Sequence, residues 1–165
     1  MHTTGKIGVT GHQAREGLDW AWTRTKVAAI LQEAAAVDQA LTCLAVGTDQ
    51  LFAEEALAIG IALTAVIPFE GYDRCFEGVG LEAYRNLLAR SARTVMMEQT
   101  GTDQEAFLAA GVRVADDSDL LIAVWDGEPA AGLGGTADVV AHAIACGRQV
   151  LQLNPFSRTV RRLAG

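Results

Sequence analysis

Residues 120–138 read LLIAVWDGEPAAGLGGTAD and combine a strand, a loop and the start of a helix. The first six residues are apolar without a break, which is typical of a strand buried on both faces of a sheet. A glycine-rich loop follows and leads through Gly-Gly-Thr into an alanine-rich helix that ends at Cys146. This order of strand, loop and helix predicts one unit of a parallel α/β sheet.

Outward from this stretch, apolar runs alternate with helix-forming runs. Strands are predicted at 6–10, 41–46, 63–67, 94–97 and 150–153, and helices at 25–37, 50–59, 81–92 and 105–114. Such alternation joins parallel strands through helices that cover both faces of the sheet. We therefore predict a Rossmann-like three-layer α/β sandwich with a mostly parallel central sheet, in a single domain over residues 1–165. The arginine-rich tail, 157–165, is predicted to be a solvated end, with docking on a partner as the alternative.

The composition restricts the partners that we expect. The net charge is −7, whereas a general nucleic-acid binder shows a clustered basic face, so we predict no nucleic-acid partner. Three cysteines lack close spacing, and no cysteine or carboxylate cluster surrounds His2 or His142, so no metal site is predicted. The chain shows neither the apolar core of a signal peptide nor a run of membrane-helix length. These features predict a cytoplasmic protein with no membrane partner.

Three polar, glycine-containing loops leave the carboxyl ends of predicted strands, at 10–13, 47–50 and 126–138. In an open parallel sheet, ligands bind beyond these strand ends. The three loops are therefore expected to form one ligand site. The ligand-binding candidates are Gly11, His12, Gly47, Thr48, Asp49, Asp126, Gly134, Gly135 and Thr136.

The Gly134-Gly135-Thr136 loop is the strongest of these signals. Glycines let the backbone approach an oxyanion closely, and a helix start offers unpaired amides and the positive end of the helix dipole. We predict that this loop binds a phosphate group. No lysine follows the glycines, so the loop is not a Walker A motif. The alternative is that the glycines only form a sharp turn, with Thr136 as the helix cap.

The other candidates each have a functional and a structural interpretation. Gly47 and Asp49 either present a second helix start to the ligand, with Asp49 holding a ribose hydroxyl or orienting the loop, or form a turn and a helix cap. His12 is either a hydrogen-bond donor or base-stacking group, or an exposed loop residue. Asp126 leaves the sheet at the ligand edge, which makes it a candidate ribose or water contact.

Aromatic residues near the same edge also have two interpretations. Phe69, Tyr72 and Phe76 either cover the crevice and stack on a base, or pack in the ordinary way. Trp20 and Trp22, in the predicted loop after the first strand, have the same two interpretations.

At these motifs the chain resembles the SLOG superfamily. This group includes the Lonely Guy phosphoribohydrolases, the molybdenum-cofactor carrier proteins, the DNA-processing protein A group and nucleotide-sensing domains of bacterial defence systems. The similarity lies in GVTGH at 8–12, GTD at 47–49, SDLLIAVWDG at 118–127 and GGTAD at 134–138. The resemblance implies a Rossmann-like fold, a nucleotide or nucleotide-derived ligand and a homodimer.

The chain departs from the enzymatic members of that group. Lonely Guy enzymes carry Pro-Gly-Gly-x-Gly-Thr-x-x-Glu, in which the glutamate supports cleavage of the N-glycosidic bond. The corresponding position here is Val139, and Asp138 lies one residue earlier. The enzymatic members also carry an arginine before the strand that leads to the glycine-rich loop. Its position falls near Ala110 in this chain, and the nearest arginine is Arg113. The catalytic pair is therefore not evident.

These observations predict a binding module that senses or carries a nucleotide or a nucleotide-derived small molecule and requires no cofactor. The alternative is a phosphoribohydrolase-type enzyme that cleaves the N-glycosidic bond of a nucleotide. Its acid or base would be Asp138, Asp126 or Glu54. A protein-interaction role with an empty crevice ranks third.

Overall fold

The computed structural model describes residues 5–13, 15–34, 37–129 and 135–164. In these ranges the strands are β1 (Lys6–Gly11), β2 (Gln39–Thr42), β3 (Ala62–Ile67), β4 (Arg93–Met96), β5 (Leu120–Val124), β6 (Gln149–Asn154) and β7 (Thr159–Ala164). The helices are α1 (Trp20–Glu33), α2 (Thr48–Ala58), α3 (Gly78–Ala89), α4 (Asp103–Asp116) and α5 (Thr136–Ala145), with a short 3₁₀ turn at Tyr72–Cys75. The predicted alternation of strands and helices is confirmed.

The strands form one sheet in the order β4-β3-β2-β1-β5-β6-β7. All neighbouring pairs are parallel except β6 and β7, which are antiparallel. The chain builds outward from β1 to β4 and then returns to place β5 on the other side of β1. The carboxyl ends of β1 and β5 therefore flank the topological switch point, where open α/β sheets bind ligands.

Two buried clusters lie on opposite faces of this sheet. One packs α1 and α2 through residues such as Val27, Leu31 and Phe52, and the other packs α4 and α5 through Val114 and Val140. The strands contribute to both clusters because successive side chains point to opposite faces. This arrangement confirms the predicted three-layer α/β sandwich.

Two element boundaries differ from the sequence prediction for local reasons. Helix α1 begins at Trp20, not at Thr25, because the Asp19 carboxylate accepts a hydrogen bond from the Trp22 amide and caps the helix there. The two tryptophans therefore belong to a helix and not to a loop. Strand β2 ends at Thr42, not at Val46, because the Thr42 hydroxyl accepts from the Leu44 amide and Leu44 has a φ of 60°.

The predicted solvated tail is instead strand β7. It pairs with β6 in a register that joins Leu153 to Val160 and Gln152 to Arg161. An edge strand buries only part of its surface, so its arginines stay exposed while its backbone completes the sheet.

Within the described residues, every helix is too short or too polar to cross a lipid bilayer.

Candidate functional site

A cavity of about 510 Å³ opens at the carboxyl ends of the central strands. Its wall includes Gly11, His12, Asp49, Gly135 and Thr136, which come from the three loops that the sequence singled out. The structure thus brings five of the nine predicted ligand-binding residues around one space. Gly134 lies outside the described residues.

Helix α5 begins at this cavity. Gly135 is its N-cap, with φ −73° and ψ 169°, and its carbonyl accepts from the Asp138 amide at 3.1 Å. At the start of an α-helix the first backbone amides point along the helix axis, because no earlier turn supplies their carbonyl acceptors. The start of α5 therefore brings backbone donors and the positive end of the helix dipole to the cavity wall.

Gly47 and Thr48 support the His12 loop and are absent from the described wall of the cavity. The backbone amide and the hydroxyl of Thr48 donate to the His12 carbonyl at 3.2 and 2.8 Å. A Cβ atom on Gly11 would lie 2.6 Å from the Thr48 methyl carbon, and one on Gly47 would lie 2.9 Å from the Cα of Gln13. Both glycines are needed for this close approach of two loops.

Asp49 is a buried carboxylate at the cavity wall, in the first turn of α2. Its Oδ2 accepts from the Ala45 amide at 3.3 Å, so it orients the loop between β2 and α2. Burial raises the pKa of Asp49 to about 7, although hydrogen bonds from Ala45, Thr42 and Cys43 oppose the rise. Among the described residues that line the cavity, Asp49 is the one carboxylate, and it titrates near neutral pH.

His12 is a neutral imidazole at the mouth of the cavity. Its Nε2 accepts from the Asp126 amide at 3.3 Å and from the Arg15 guanidinium at 3.0 Å. Since Nε2 is the acceptor, the ring proton lies on Nδ1. Burial and then the Arg15 charge lower the pKa of His12, and this outweighs the opposite effect of Asp126.

Asp126 lies beside His12 but is absent from the described cavity wall. Burial opposes its ionisation, yet the Glu128 amide at 3.0 Å, His12 and Arg15 at 3.2 Å together lower the pKa of Asp126. It is therefore ionised at neutral pH and unsuited to act as a general acid. Arg15 was not among the predicted residues, because nothing in its local sequence indicates a contact with a residue 111 positions away.

The other candidate acids lie elsewhere. Glu54 faces a second groove between α1 and α2, where its carboxylate lies 3.6 Å from Arg24. Asp138 is half-buried in the first turn of α5 and is absent from the described wall of the cavity.

The structure also shows where the residues lie that align with the glutamate and the arginine of the Lonely Guy enzymes. Val139, at the position where the resemblance implies a glutamate, lines the cavity. Arg113 pairs with Asp117 at 2.6 Å, and Ala110 is fully buried. The described cavity therefore holds an apolar side chain where the enzymatic members carry their glutamate.

Aromatic side chains form part of the cavity wall. Tyr72 and Phe76 line it together with Phe107 from α4, whereas Phe69 is buried behind Tyr72 at a ring distance of 5.9 Å. The rings of Phe76 and Tyr84 stack at 4.5 Å, which holds Phe76 in place. Phe107 was not predicted, because its spacing in α4 is that of an ordinary core residue.

Several solved structures share this fold at low sequence identity. DNA processing protein A from Helicobacter pylori is 17% identical, with a TM-score of 0.66 over 92% of this chain and 66% of that one. DNA processing protein A from Streptococcus pneumoniae is 17% identical, with a TM-score of 0.60 over 90% and 50% of the two chains. The molybdenum cofactor binding protein from Rippkaea orientalis is 18% identical, with a TM-score of 0.60 over 90% and 76%.

These proteins belong to groups that the sequence resemblance named, so the resemblance to the SLOG-type fold is confirmed. The chain spans less than two thirds of the length of either DNA processing protein A structure. No protein-family model and no curated protein matches this sequence.

The prediction that excluded a nucleic-acid partner is wrong. The Helicobacter pylori structure describes a single-stranded DNA binding mode, so this fold serves a protein that binds nucleic acid. Net charge is a sum over the whole surface, whereas strand binding depends on the charges and aromatic rings along one groove. A net charge of −7 therefore does not exclude such a partner.

Proposed function

We propose that this protein senses or carries a nucleotide or a nucleotide-derived small molecule in the cavity at the switch point of the sheet. One observation carries the proposal. Five residues predicted independently of the structure, from three separate loops, line a single cavity of about 510 Å³. That volume lies in the range of roughly 300–1,000 Å³ typical of small-molecule sites.

Two features of the cavity wall suit the two parts of a nucleotide. The start of α5 at Gly135 and Thr136 offers amides and a dipole to a phosphate group. Tyr72, Phe76 and Phe107 offer aromatic surface to a base. The molybdenum cofactor binding protein that shares this fold supports small-molecule binding as the general class of function.

An enzymatic alternative now rests on Asp49. Cleavage of an N-glycosidic bond needs a proton donor or acceptor whose pKa lies near the working pH. Asp49 lies at the cavity wall with a pKa of about 7, whereas Asp126 is ionised and Glu54 lies in another groove. Asp49 would act as the acid or base in this alternative.

Thermal unfolding with a ligand panel tests the proposal. The panel contains AMP, ADP-ribose, NAD, cyclic AMP, adenosine and a single-stranded oligonucleotide. A ligand at one hundred times its Kd adds about 2.7 kcal/mol to the free energy of unfolding. For a chain of this length the Tm should rise by about 5–10 °C. Phosphate recognition predicts a larger shift for AMP than for adenosine at equal concentration.

The same samples are then analysed for free base. A shift without product supports the sensor or carrier. Free adenine that disappears in Asp49→Asn supports the enzyme. If only the oligonucleotide raises the Tm, the ligand is a DNA strand and not a small molecule. If no ligand raises the Tm, the proposal is contradicted.

A further inference from the structure

Three side chains with metal-binding atoms meet where helices α4 and α5 end. They are Asp116 at the end of α4, His142 in the last turn of α5 and Cys146 directly after α5. One carboxylate oxygen, one ring nitrogen and one sulfur all lie within 4.8 Å of one another. No metal site was predicted from the sequence, because Asp116 is 26 residues from His142 and only folding brings them together.

The spacing of these atoms is close to that of a metal coordination shell. His142 Nε2 lies 2.8 Å from Asp116 Oδ1 and 3.6 Å from Cys146 Sγ. Tetrahedral zinc, with bonds of about 2.0 Å to nitrogen or oxygen and 2.3 Å to sulfur, separates its ligand atoms by about 3.3–3.6 Å. His142 and Cys146 are four residues apart, so they project from the same side of α5.

All three side chains can adjust to a bound ion. Asp116 and Cys146 are exposed and His142 is half-buried, so small rotations need no repacking of the core. The hydrogen bond between Nε2 and Oδ1 places a proton where a cation would bind, and a metal ion would replace that proton.

We propose that Asp116, His142 and Cys146 bind one divalent cation of the zinc class. Nitrogen and thiolate donors select Zn²⁺ and its neighbours over Mg²⁺ and Ca²⁺, which prefer oxygen ligands. Three protein ligands leave the fourth position of a tetrahedral ion to solvent.

The ion would link two helices that also form the cavity. Gln104 near the start of α4 and Thr136 at the start of α5 both line the cavity, whereas the proposed ligands lie at the other ends of the two helices. The site is thus separate from the proposed nucleotide site, and it would fix α4 against α5 without occupying that cavity.

Cobalt titration under reducing conditions tests the proposal on the full chain without an affinity tag. A bound Co²⁺ ion with a thiolate ligand gives a near-ultraviolet charge-transfer band. We expect one equivalent per chain to saturate this band, and Zn²⁺ to displace the Co²⁺. Mg²⁺ at the same concentration should leave the band unchanged.

Variants assign the ligands. Cys146→Ser should lose the charge-transfer band, and His142→Gln should weaken Co²⁺ binding at least tenfold. Cys75→Ser is the matched control, because Cys75 is also exposed but lies at the cavity. Far-ultraviolet circular dichroism confirms that each variant is folded. Absence of a saturable band in the unmodified protein, or an equal band in Cys146→Ser, would overturn the proposal.

Discussion

Gly135 allows the phosphate site to be tested with a single residue. Its backbone has an ordinary extended conformation that any residue can adopt, and it lines the cavity. We predict that Gly135→Val stays folded but loses nucleotide binding by at least tenfold, because the side chain would occupy the space of the phosphate. Isothermal titration with the best ligand of the panel measures the loss.

Ala137→Val is the matched control for this variant. It places the same valine side chain in the first turn of α5, at a residue absent from the described cavity wall. Its affinity should stay within about twofold of the unmodified protein. Equal affinities for Gly135→Val and Ala137→Val would contradict the assignment of the phosphate site.

The raised pKa of Asp49 predicts that the free energy of unfolding depends on pH. Its pKa is 3.8 in the unfolded chain and about 7 in the folded protein. Between these values the folded state keeps a proton that the unfolded state releases, so stability falls as the pH rises. Each unit of that window removes about 1.4 kcal/mol from the free energy of unfolding. Below pH 3.8 the Asp49 contribution is constant, and above pH 7 the loss is complete.

Urea unfolding of the unmodified protein and of Asp49→Asn between pH 4 and pH 8 measures this effect. The difference between the two curves isolates Asp49, since the remaining groups titrate in both proteins. The unmodified protein should lose stability relative to the variant as the pH rises to 7. Parallel curves would show that the Asp49 pKa is unshifted.

The contact between the loop that follows β1 and the loop that follows β2 depends on Gly47. Its φ is +94°, and an added Cβ would meet Gln13 Cα at 2.9 Å and the His12 carbonyl at 3.0 Å. We predict that Gly47→Ala lowers the free energy of unfolding by about 2–4 kcal/mol, because backbone strain and a collision between loops add together. Urea unfolding measures the change.

Gly60→Ala provides the comparison for positive φ alone. Gly60 has a φ of +83°, but an added Cβ would meet nothing within 4 Å. Its cost should be about 1–2 kcal/mol, from the left-handed conformation. If the two variants lose equal stability, glycine is required at position 47 only for its positive φ, and the close packing of the His12 loop against α2 adds no further cost.

Local patterns predicted the helices best where a cap stands in the sequence. Thr102 and Glu105 form a capping box, and α4 begins directly after Thr102, within two residues of the predicted start at 105. The start of α1 was missed because Asp19 caps it without a glutamate or glutamine three residues later. Strand β2 ends earlier than predicted because Leu44 has a positive φ, and a leucine within an apolar run gives no indication of such a backbone conformation.

For the whole molecule, strand β7 is expected to be essential to the sheet. Removal of residues 159–165 exposes the edge of β6 but keeps the ion pair of Arg158 with Asp19. Loss of this ladder, at about 1 kcal/mol for each hydrogen bond, should lower the free energy of unfolding by about 3–5 kcal/mol. The unpaired edge should also promote association.

Thermal unfolding and light scattering measure both effects. Val160→Thr is the control, since Val160 is 46% exposed and threonine keeps the preference for strand. A truncated chain with unchanged Tm would mean that β7 contributes nothing to stability.

The homodimer implied by the resemblance is also a property of the whole molecule and stays a prediction. Light scattering should give twice the chain mass of 17.4 kDa. A mass of one chain at micromolar concentration would contradict it.

The layered fold and the place of the cavity followed from the amino-acid pattern alone. Uninterrupted apolar runs such as 120–124 indicate buried strands, and helix caps and glycines indicate roughly where elements end. The local sequence is therefore sufficient to predict the order of strands and helices. Because the carboxyl ends of parallel strands meet at one edge, the polar loops after them could be grouped before any distance was known.

Other features depend on contacts between residues far apart in the chain. Pairing of β7 with β6, the position of Arg15 on Asp126 and the meeting of Asp116 with His142 all required folding. The same is true of the Asp49 pKa, because burial is set by the segments packed around a side chain and not by its neighbours in sequence. The raised pKa of the Asp49 carboxyl group in this cavity is therefore a consequence of tertiary packing.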